Sequence, residues 1–598
     1  MVRIILFLLK CVVGVLAVVG LAVVAAGFLA QTIWKEFESR TLVEPLPDKM
    51  VLALDLSEGV AGGDSPLTLL GLHEGWSWLA LGQALEAAAK DDRVAGLLLK
   101  VGGADLSLAE AQELRSLVAD FRQSGKPVRA FAESFGEGGD GTVQYYTAAA
   151  ADEIWMQPSG ELGLTGFRLE VPLFGGVLDD WGVLPRLDHR GVYKGITETF
   201  TREDLSTPVR TNLQQLAESW LRQVARDIAT RRKISATQVR EIIDNGPYSA
   251  EEAGARTLVD KLGYLDEVEQ AFRRGATADV HVLPLADYER RRAKTSYPDG
   301  TPTIAVIHGE GGVMLGKGQE FGDPTMASDD VIAAFDSALA DRSVKAIVFR
   351  IDSPGGSAVA SDAIWRAVDR VRTAGKPVVV SMMTMAASGG YYVAAPANRI
   401  FAQPATITGS IGVAGGKLVV TGLLRELNVG VDSVQAGRNA GFWSATEDFD
   451  DAQWKAFQAS LDRTYDDFVD KVAKGRNLSR QAVLSAAEGQ VWSGEDGQAR
   501  GLVDSFGGLR EAVAEARTLA FLPQASLVRV TDWPSGDVRL RRLVDRVVGG
   551  EVDVHGLPAL LRLADRLVML EPLLRRLEAA QAPGARLEAP VRAPVRSE

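Results

Sequence analysis

Cysteine is almost missing from the 598-residue chain. The single thiol, Cys11, excludes an intramolecular disulfide framework and any zinc site that needs several thiolates. Histidine is scarce too. The five, His73, His189, His281, His308 and His555, include no two at metal-ligand spacing, so no metal and no cofactor is expected. Basic charge is also short: 65 Lys+Arg against 78 Asp+Glu leave −13 at pH 7. No nucleic-acid partner is expected of a chain with that balance. What is present is an ordinary globular composition, 46% hydrophobic and 24% charged, which argues against disorder or a fibrous architecture for the bulk of the chain. At about 100–200 residues per domain, the length accommodates roughly three to five domains.

One long apolar run breaks that pattern. From Cys11 to Ala30 every residue is uncharged, and at about 1.5 Å per residue a helix of that length spans a bilayer of roughly 30 Å. Arg3 and Lys10 precede it, so residues 1–10 are expected in the cytoplasm, 11–30 in the lipid bilayer as an anchor, and the remainder beyond it. A cleaved signal peptide, with Val24-Ala25-Ala26 at the cleavage site, is the competing reading; its apolar core is usually only about 7–15 residues. Toward the other end, Leu540 to Ala580 alternates Leu/Val with Arg/Glu at helical spacing. Residues 521–598 are therefore expected to form an amphipathic helical extension and a disordered Pro/Ala-rich tail. The apolar face of the extension has the protein body as its expected partner, with a membrane surface or an oligomer seam as alternatives.

Comparing the chain with itself is most informative. Val94-Ala95-Gly96-Leu97-Leu98-Leu99-Lys100 matches Val344-Lys345-Ala346-Ile347-Val348-Phe349-Arg350, and Gly125-Lys126-Pro127-Val128 matches Gly375-Lys376-Pro377-Val378. Further on, Tyr145-Tyr146 matches Tyr391-Tyr392, Gln157-Pro158 matches Gln403-Pro404, and Leu258-Val259-Asp260 matches Leu502-Val503-Asp504. Two copies of one domain are expected, 48–285 and 303–520, joined by a charged, turn-rich linker at 286–302. Each opens β-α-β-α-β with continuous apolar strands, the pattern of an α/β fold with a parallel sheet core.

The copies differ where chemistry is expected. The second carries Asp352-Ser353-Pro354-Gly355-Gly356-Ser357 after an apolar strand, where the first has Gly102-Gly103-Ala104. Such a turn either reverses the chain or exposes backbone N–H groups to a developing oxyanion. The second also reads Ala386-Ala387-Ser388-Gly389-Gly390-Tyr391-Tyr392 against Gly141-Thr142-Val143-Gln144-Tyr145-Tyr146. Ser388 faces Thr142. An open serine at a strand-to-helix junction suits a nucleophile, or equally an N-cap among small residues. Its base is not a histidine shared by both copies, since His189 aligns with Gln435. Instead the first copy reads Gly191-Val192-Tyr193-Lys194-Gly195 where the second reads Gly437-Arg438-Asn439-Ala440-Gly441. Serine stands without lysine in one copy and lysine without serine in the other, as expected of tandem halves of one Ser–Lys site.

These segments, with Ser353-Pro354-Gly355-Gly356, Thr408-Gly409-Ser410-Ile411-Gly412 and Lys194-Gly195-Ile196-Thr197-Glu198, resemble the long tandem-domain form of the signal peptide peptidase A family, from about residue 48 to 520. The resemblance implies two ClpP/crotonase-like domains and a membrane-anchored serine protease of the bacterial inner membrane, its catalytic domains on the extracytoplasmic side. It also implies a homotetramer, and apolar peptides such as signal-peptide remnants as substrates. It assigns Ser388 as nucleophile, Lys194 as general base and Ser410 as the residue orienting the lysine. Gly355 or Gly356, with Gly389, becomes the source of oxyanion N–H groups. The stretch after about residue 540 lies outside it.

A lysine with the ordinary pKa of about 10.4 is almost wholly protonated at pH 7, so this chemistry requires a desolvated Lys194 and activity rising from neutral to mildly alkaline pH. The alternatives are a non-catalytic peptide-binding scaffold of the same fold, a crotonase-like acyl-CoA enzyme, and a serine hydrolase using His189 or His308.

Overall fold

The computed structural model of the protein describes residues 45–61, 76–274, 280–318, 324–534 and 585–588. The apolar run 11–30 and the helical-spaced stretch 540–580 lie outside them; among the described residues no helix is long and apolar enough to cross a membrane.

The repeat in sequence is a repeat in topology. The first copy builds a six-stranded parallel sheet in the order Lys261–Leu262, Glu153–Met156, Val128–Ala132, Val94–Lys100, Met50–Asp55, His281–Pro284. The second builds the same order from Ser505–Phe506, Arg399–Ala402, Val378–Ala387, Val344–Ser353, Thr303–Glu310 and Arg529–Asp532. The matched Val/Ile/Leu runs are the central strands, buried on both faces as parallel strands covered by helices must be. Each copy then sends out a 26-residue helix, Thr207–Arg232 and Asp451–Arg476. Ser206 caps the first, Asp450 the second, and each ends on a left-handed residue, Lys233 or Asn477, that closes its last turn.

The copies interlock. One face of the second sheet, including Val306, Val348 and Met383, shares a continuous core with the first copy; the opposite face forms a separate core with the second copy's own helices. Polar contacts fix the alignment within this buried seam. Asn212 exchanges two 2.9 Å hydrogen bonds with the Val491 backbone, Trp220 Nε1 donates to Ala405 O at 2.9 Å, and Arg350 Nη2 meets Glu113 Oε2 at 2.5 Å. Burial makes the alternatives to such pairings costly, so they select one docking geometry.

A third sheet lies across the seam, ordered Thr325–Ala327, Gly312–Met314, Gly355–Ser357, Ala585–Glu588, Val413–Val419, Leu184–Arg190. Its last strand belongs to the first copy and pairs along its length, from Leu184↔Val419 to Arg190↔Val413, with the second.

Three boundaries differ from the sequence expectation. Helix Leu285–Arg291 occupies the start of the expected linker, because Tyr288 is buried and its hydroxyl reaches Asp91 at 3.2 Å. The second copy continues past 520, since Arg529–Asp532 forms its edge strand, equivalent to His281–Pro284 of the first. Ala585–Glu588, expected in a disordered tail, is a strand paired on both sides.

Candidate active site

Ser388 sits where the strand Val378–Ala387 turns into helix Gly389–Ala394. Its backbone has φ 54° and ψ −116°, a strained conformation for a side-chain-bearing residue that persists only where its surroundings impose it. The constraints are visible: its N–H donates to Gly409 O at 2.8 Å and its carbonyl accepts from Tyr392 N at 2.9 Å. The Tyr391 hydroxyl anchors the following helix to Leu502 O at 3.0 Å, as Tyr145 does to Leu258 O at 2.8 Å in the first copy.

Lys194 follows the strand Leu184–Arg190 that the first copy lends to the third sheet. That exchange carries its side chain across the seam into the second copy, where it is 1% exposed and its Nζ lies 2.7 Å from Ser388 Oγ. The same Nζ donates to Ser410 O and Ser410 Oγ, each at 3.1 Å. Ser388 and Ser410 are fully buried. The structure thus brings together the three side chains expected to form the site.

Their support includes a segment that sequence reasoning missed, Glu488-Gly489-Gln490. Glu488 O accepts from Tyr193 N at 2.9 Å, Gln490 O accepts from Ser410 N at 2.6 Å, and Gly489 N donates to Ile411 O at 2.9 Å. A Cβ on Gly489 would lie 2.6 Å from Lys194 N, so only glycine permits this approach. The available signal was Gly489 standing between the helical stretch Arg480–Ala486 and the apolar Val491-Trp492, where a glycine marks a turn.

The glycines divide. Gly355 N–H is used by Ser353 Oγ at 3.2 Å. Gly356 lies beside Gly389, whose Cβ, were there one, would be 3.0 Å from Gly356 N. Gly389 opens its helix, so its N–H has no carbonyl partner within that helix. Nearby, burial and then the Glu110 carboxylate push Asp352 up to about 8.

Thr142, the counterpart of Ser388, serves backbone instead: its Oγ1 accepts from Thr165 N at 3.2 Å and Gly166 N at 3.0 Å. The two histidines weighed as bases are occupied elsewhere. His189 Nδ1 lies 3.2 Å from Thr197 Oγ1, with burial holding the ring below its ordinary pKa, and His308 Nε2 pairs with Asp532 at 2.7 Å.

A family model, Peptidase family S49, matches residues 120–279 and 370–522, once in each copy. Protease 4 of Salmonella typhi is 34% identical over 84% of this chain and 80% of its own length. Protease 4 of Haemophilus influenzae is 32% identical over 76% of this chain and 75% of its own. Among solved structures, a ClpP1 mutant from Listeria monocytogenes aligns with 35% of this chain and 94% of its own, at 14% identity and a TM-score of 0.23.

Proposed function

The chain belongs to peptidase family S49 as a serine protease of the SppA type, and from that premise we propose that it hydrolyses peptide bonds with Ser388 as nucleophile and Lys194 as general base. The single observation supporting this assignment is the 2.7 Å approach of Lys194 Nζ to Ser388 Oγ from opposite copies of the repeat.

Burial disfavours the ammonium form of the lysine. As a neutral amine, it directs N–H bonds at Ser410 and its lone pair at Ser388 Oγ. The hydroxyl proton passes to Nζ as Oγ bonds to the substrate carbonyl carbon. Gly356 and Gly389 N–H groups receive the charge that develops on the carbonyl oxygen. Nζ then returns the proton to the leaving nitrogen as the C–N bond breaks, and a water molecule, deprotonated by the same amine, releases the acyl group from Ser388.

The substrates we propose are extended apolar peptides of the kind left in a membrane after signal-peptide cleavage. Residues 11–30 would anchor the protein in the bilayer, with its catalytic domains on the extracytoplasmic side and assembled as a homotetramer. The anchor rests on the charge and length of the apolar run.

The test is hydrolysis of a fluorogenic apolar peptide by the wild type and by Ser388→Ala, Lys194→Ala, His189→Ala and Thr142→Ala, each checked for folding by circular dichroism. The first two are expected to lose activity by at least about a hundredfold, the range for loss of a general base or nucleophile; the last two are expected to keep it. Normal turnover by Lys194→Ala would require a different base.

A further inference from the structure

The strand that leads to Ser388 bulges where it passes Asp352. Val344–Ser353 and Val378–Ala387 pair evenly up to Ile351↔Met382 and resume at Ser353↔Ala386, so Asp352 alone faces Met383-Thr384-Met385. Such a bulge interrupts the ladder, and the Asp352 side chain bridges it: Oδ1 accepts from Met385 N at 2.9 Å. Beyond the bulge, Met385–Ala387 pairs with Ile407–Gly409 and runs into Ser388. Asp352 also begins the glycine turn. Its carbonyl accepts from Gly311 N at 2.8 Å. The next residue, Ser353, donates through Oγ to Gly311 O at 2.6 Å and accepts from Gly355 N at 3.2 Å. One residue therefore ties the strand of the nucleophile to the turn that holds Gly355 and Gly356.

The first copy meets the same bulge. Ser107 Oγ lies 2.8 Å from Thr384 Oγ1. Ser107 caps helix Leu108–Arg122 in a reciprocal box with the buried Glu110, whose Oε2 accepts from Ser107 N at 2.9 Å. Asp352 keeps some exposed surface, but its carboxyl is enclosed. Among the charges around it, Glu110 bears on it most, ahead of Glu310 on the neighbouring strand and Arg350 on its own. Arg350 is engaged by Glu113 and Ser381, and Glu310 stands beside His308, which Asp532 holds. Two enclosed carboxyls side by side cannot both ionise cheaply. The Ser107 N–H and the start of a helix favour the charge on Glu110. Burial, and then that charge, push Asp352 up to about 8, so it is the member that keeps its proton at pH 7. The pair repeats the reciprocity of Ser388 and Lys194: in the register of the repeat, Glu110 faces Ala360 and Asp352 faces Gly102.

We infer that Asp352 is a positioning residue for the proposed hydrolysis, its carboxyl sharing one proton with Glu110 across the seam and so holding the Ser388 strand and the glycine turn in register. The inference rests on the protease reading for the reaction that is positioned; the shared proton does not depend on it. With the proton present, Asp352 donates to the Glu110 carboxylate while accepting from Met385 N. Once it leaves, two like charges face each other inside the seam, and the bulge and the turn loosen. The rate should therefore rise as Lys194 deprotonates and fall again above about pH 8, a bell-shaped profile.

The experiment uses the full chain in detergent micelles and measures kcat and KM for the apolar peptide from about pH 6 to 10. Wild type is compared with Asp352→Asn, Asp352→Ala, Glu110→Gln and His308→Asn. Asp352→Asn keeps an acceptor for Met385 N and offers an N–H to Glu110, and Glu110→Gln removes the like charge; both should abolish the alkaline fall. Asp352→Ala should lower kcat by about tenfold with KM within about twofold, and asparagine should restore most of that loss. His308→Asn should keep the fall, which separates the pair from the nearby histidine. The proton is read without catalysis, by infrared pH-difference spectra. Wild type should show a protonated-carboxyl band that disappears between about pH 7 and 9, absent from both Asp352→Asn and Glu110→Gln. Positioning is read by amide protection of Met385 and Gly356, which should drop above about pH 8 in the wild type and not in Glu110→Gln. With no peptide cleaved, the band and the loss of protection together still support the inference while the protease reading fails. A wild type without the band, or a band that survives in both variants, overturns it. So does an alkaline fall, or a loss of protection, that is the same in wild type and both variants.

Discussion

Lys194 Nζ lies 2.7 Å from Ser388 Oγ although 194 residues separate them in the chain. The strand Leu184–Arg190, given by the first copy to the third sheet, accounts for the crossing: it pairs with Val413–Val419 and delivers Lys194 beside Ser410. The site exists only when both copies are folded and docked. If Lys194 and Ser388 are the proposed base and nucleophile, catalytic competence is a property of the seam rather than of either copy.

Ser410→Gly tests the hydroxyl that faces the lysine. Glycine accommodates the φ of 51° at this position without the strain an alanine would carry. An oxygen accepting from an amine favours its charged form, so removing Ser410 Oγ should move the neutral-to-alkaline rise in kcat/KM to lower pH. The loss of one hydrogen bond to a group that becomes charged should reduce plateau kcat by about tenfold or more. A lower rate with an unmoved pH profile would leave Ser410 only a packing role.

Gly389→Ala tests the oxyanion geometry. The added methyl would meet Ser361 Oγ at 2.7 Å, Gly356 N at 3.0 Å and Gly355 Cα at 3.1 Å, wedging the two proposed donors apart. Loss of an aligned oxyanion donor costs roughly 100- to 1,000-fold in kcat. Gly254→Ala, which meets nothing within 4 Å, is the control. Near-normal kcat in folded Gly389→Ala protein would remove Gly389 from the mechanism.

Much of this arrangement was legible in sequence because parallel strands buried on both faces write continuous apolar runs. Val94–Lys100 and Val344–Ser353 are such strands, and they occupy equivalent positions in the two sheets. The reciprocal Ser388/Thr142 and Lys194/Ala440 differences pointed to residues from separate copies, and the structure brings Lys194 to Ser388. What stayed hidden depends on backbone. Glu488 and Gln490 contribute carbonyls, which any residue carries. Leu184–Arg190 is only half-buried and includes Pro185, Arg186, Asp188 and His189, so no apolar alternation marks it as a strand. Ala585–Glu588 takes its partners from two distant segments, and no local pattern encodes that.

The Arg350–Glu113 pair should be a weak point of the seam. Arg350 is fully buried and Glu113 is 5% exposed. The guanidinium also donates to Ser381 Oγ at 2.7 Å, and the carboxylate accepts from Leu509 N at 2.8 Å. Glu113→Ala leaves a buried cation without its counter-charge, which costs about 3–5 kcal/mol. The double substitution Glu113→Gln, Arg350→Met removes both charges and keeps an acceptor for Leu509, so it should recover most of that loss. Urea unfolding of the three proteins measures it; equal stabilities for the single and double variants would show that desolvation of Arg350 is not the issue.

His308 should make the second copy's edge strand sensitive to alkali. Burial opposes its charge, but the hydrogen bond to Asp532 and the neighbouring Glu310 carboxylate outweigh that and raise its pKa to about 9; the Asp532 contact is 2.7 Å and the Glu310 ion pair 3.5 Å. The unfolded chain has the ordinary value of about 6.5. Between these two values the folded state holds a proton that the unfolded state has released, so stability falls as pH rises. The contribution is complete below about pH 6.5 and lost by about pH 9, on the order of 3 kcal/mol in all. Asp532 lies on the strand Arg529–Asp532, and His308 on the neighbouring Thr303–Glu310. The loss should therefore show first as faster amide exchange along that strand pair. His308→Asn should remove the slope between pH 6.5 and 9 in urea midpoints while leaving the rest of the profile in place. Parallel profiles for the two proteins would mean that the pair contributes nothing to folding and that the edge strand is held by its backbone ladder alone.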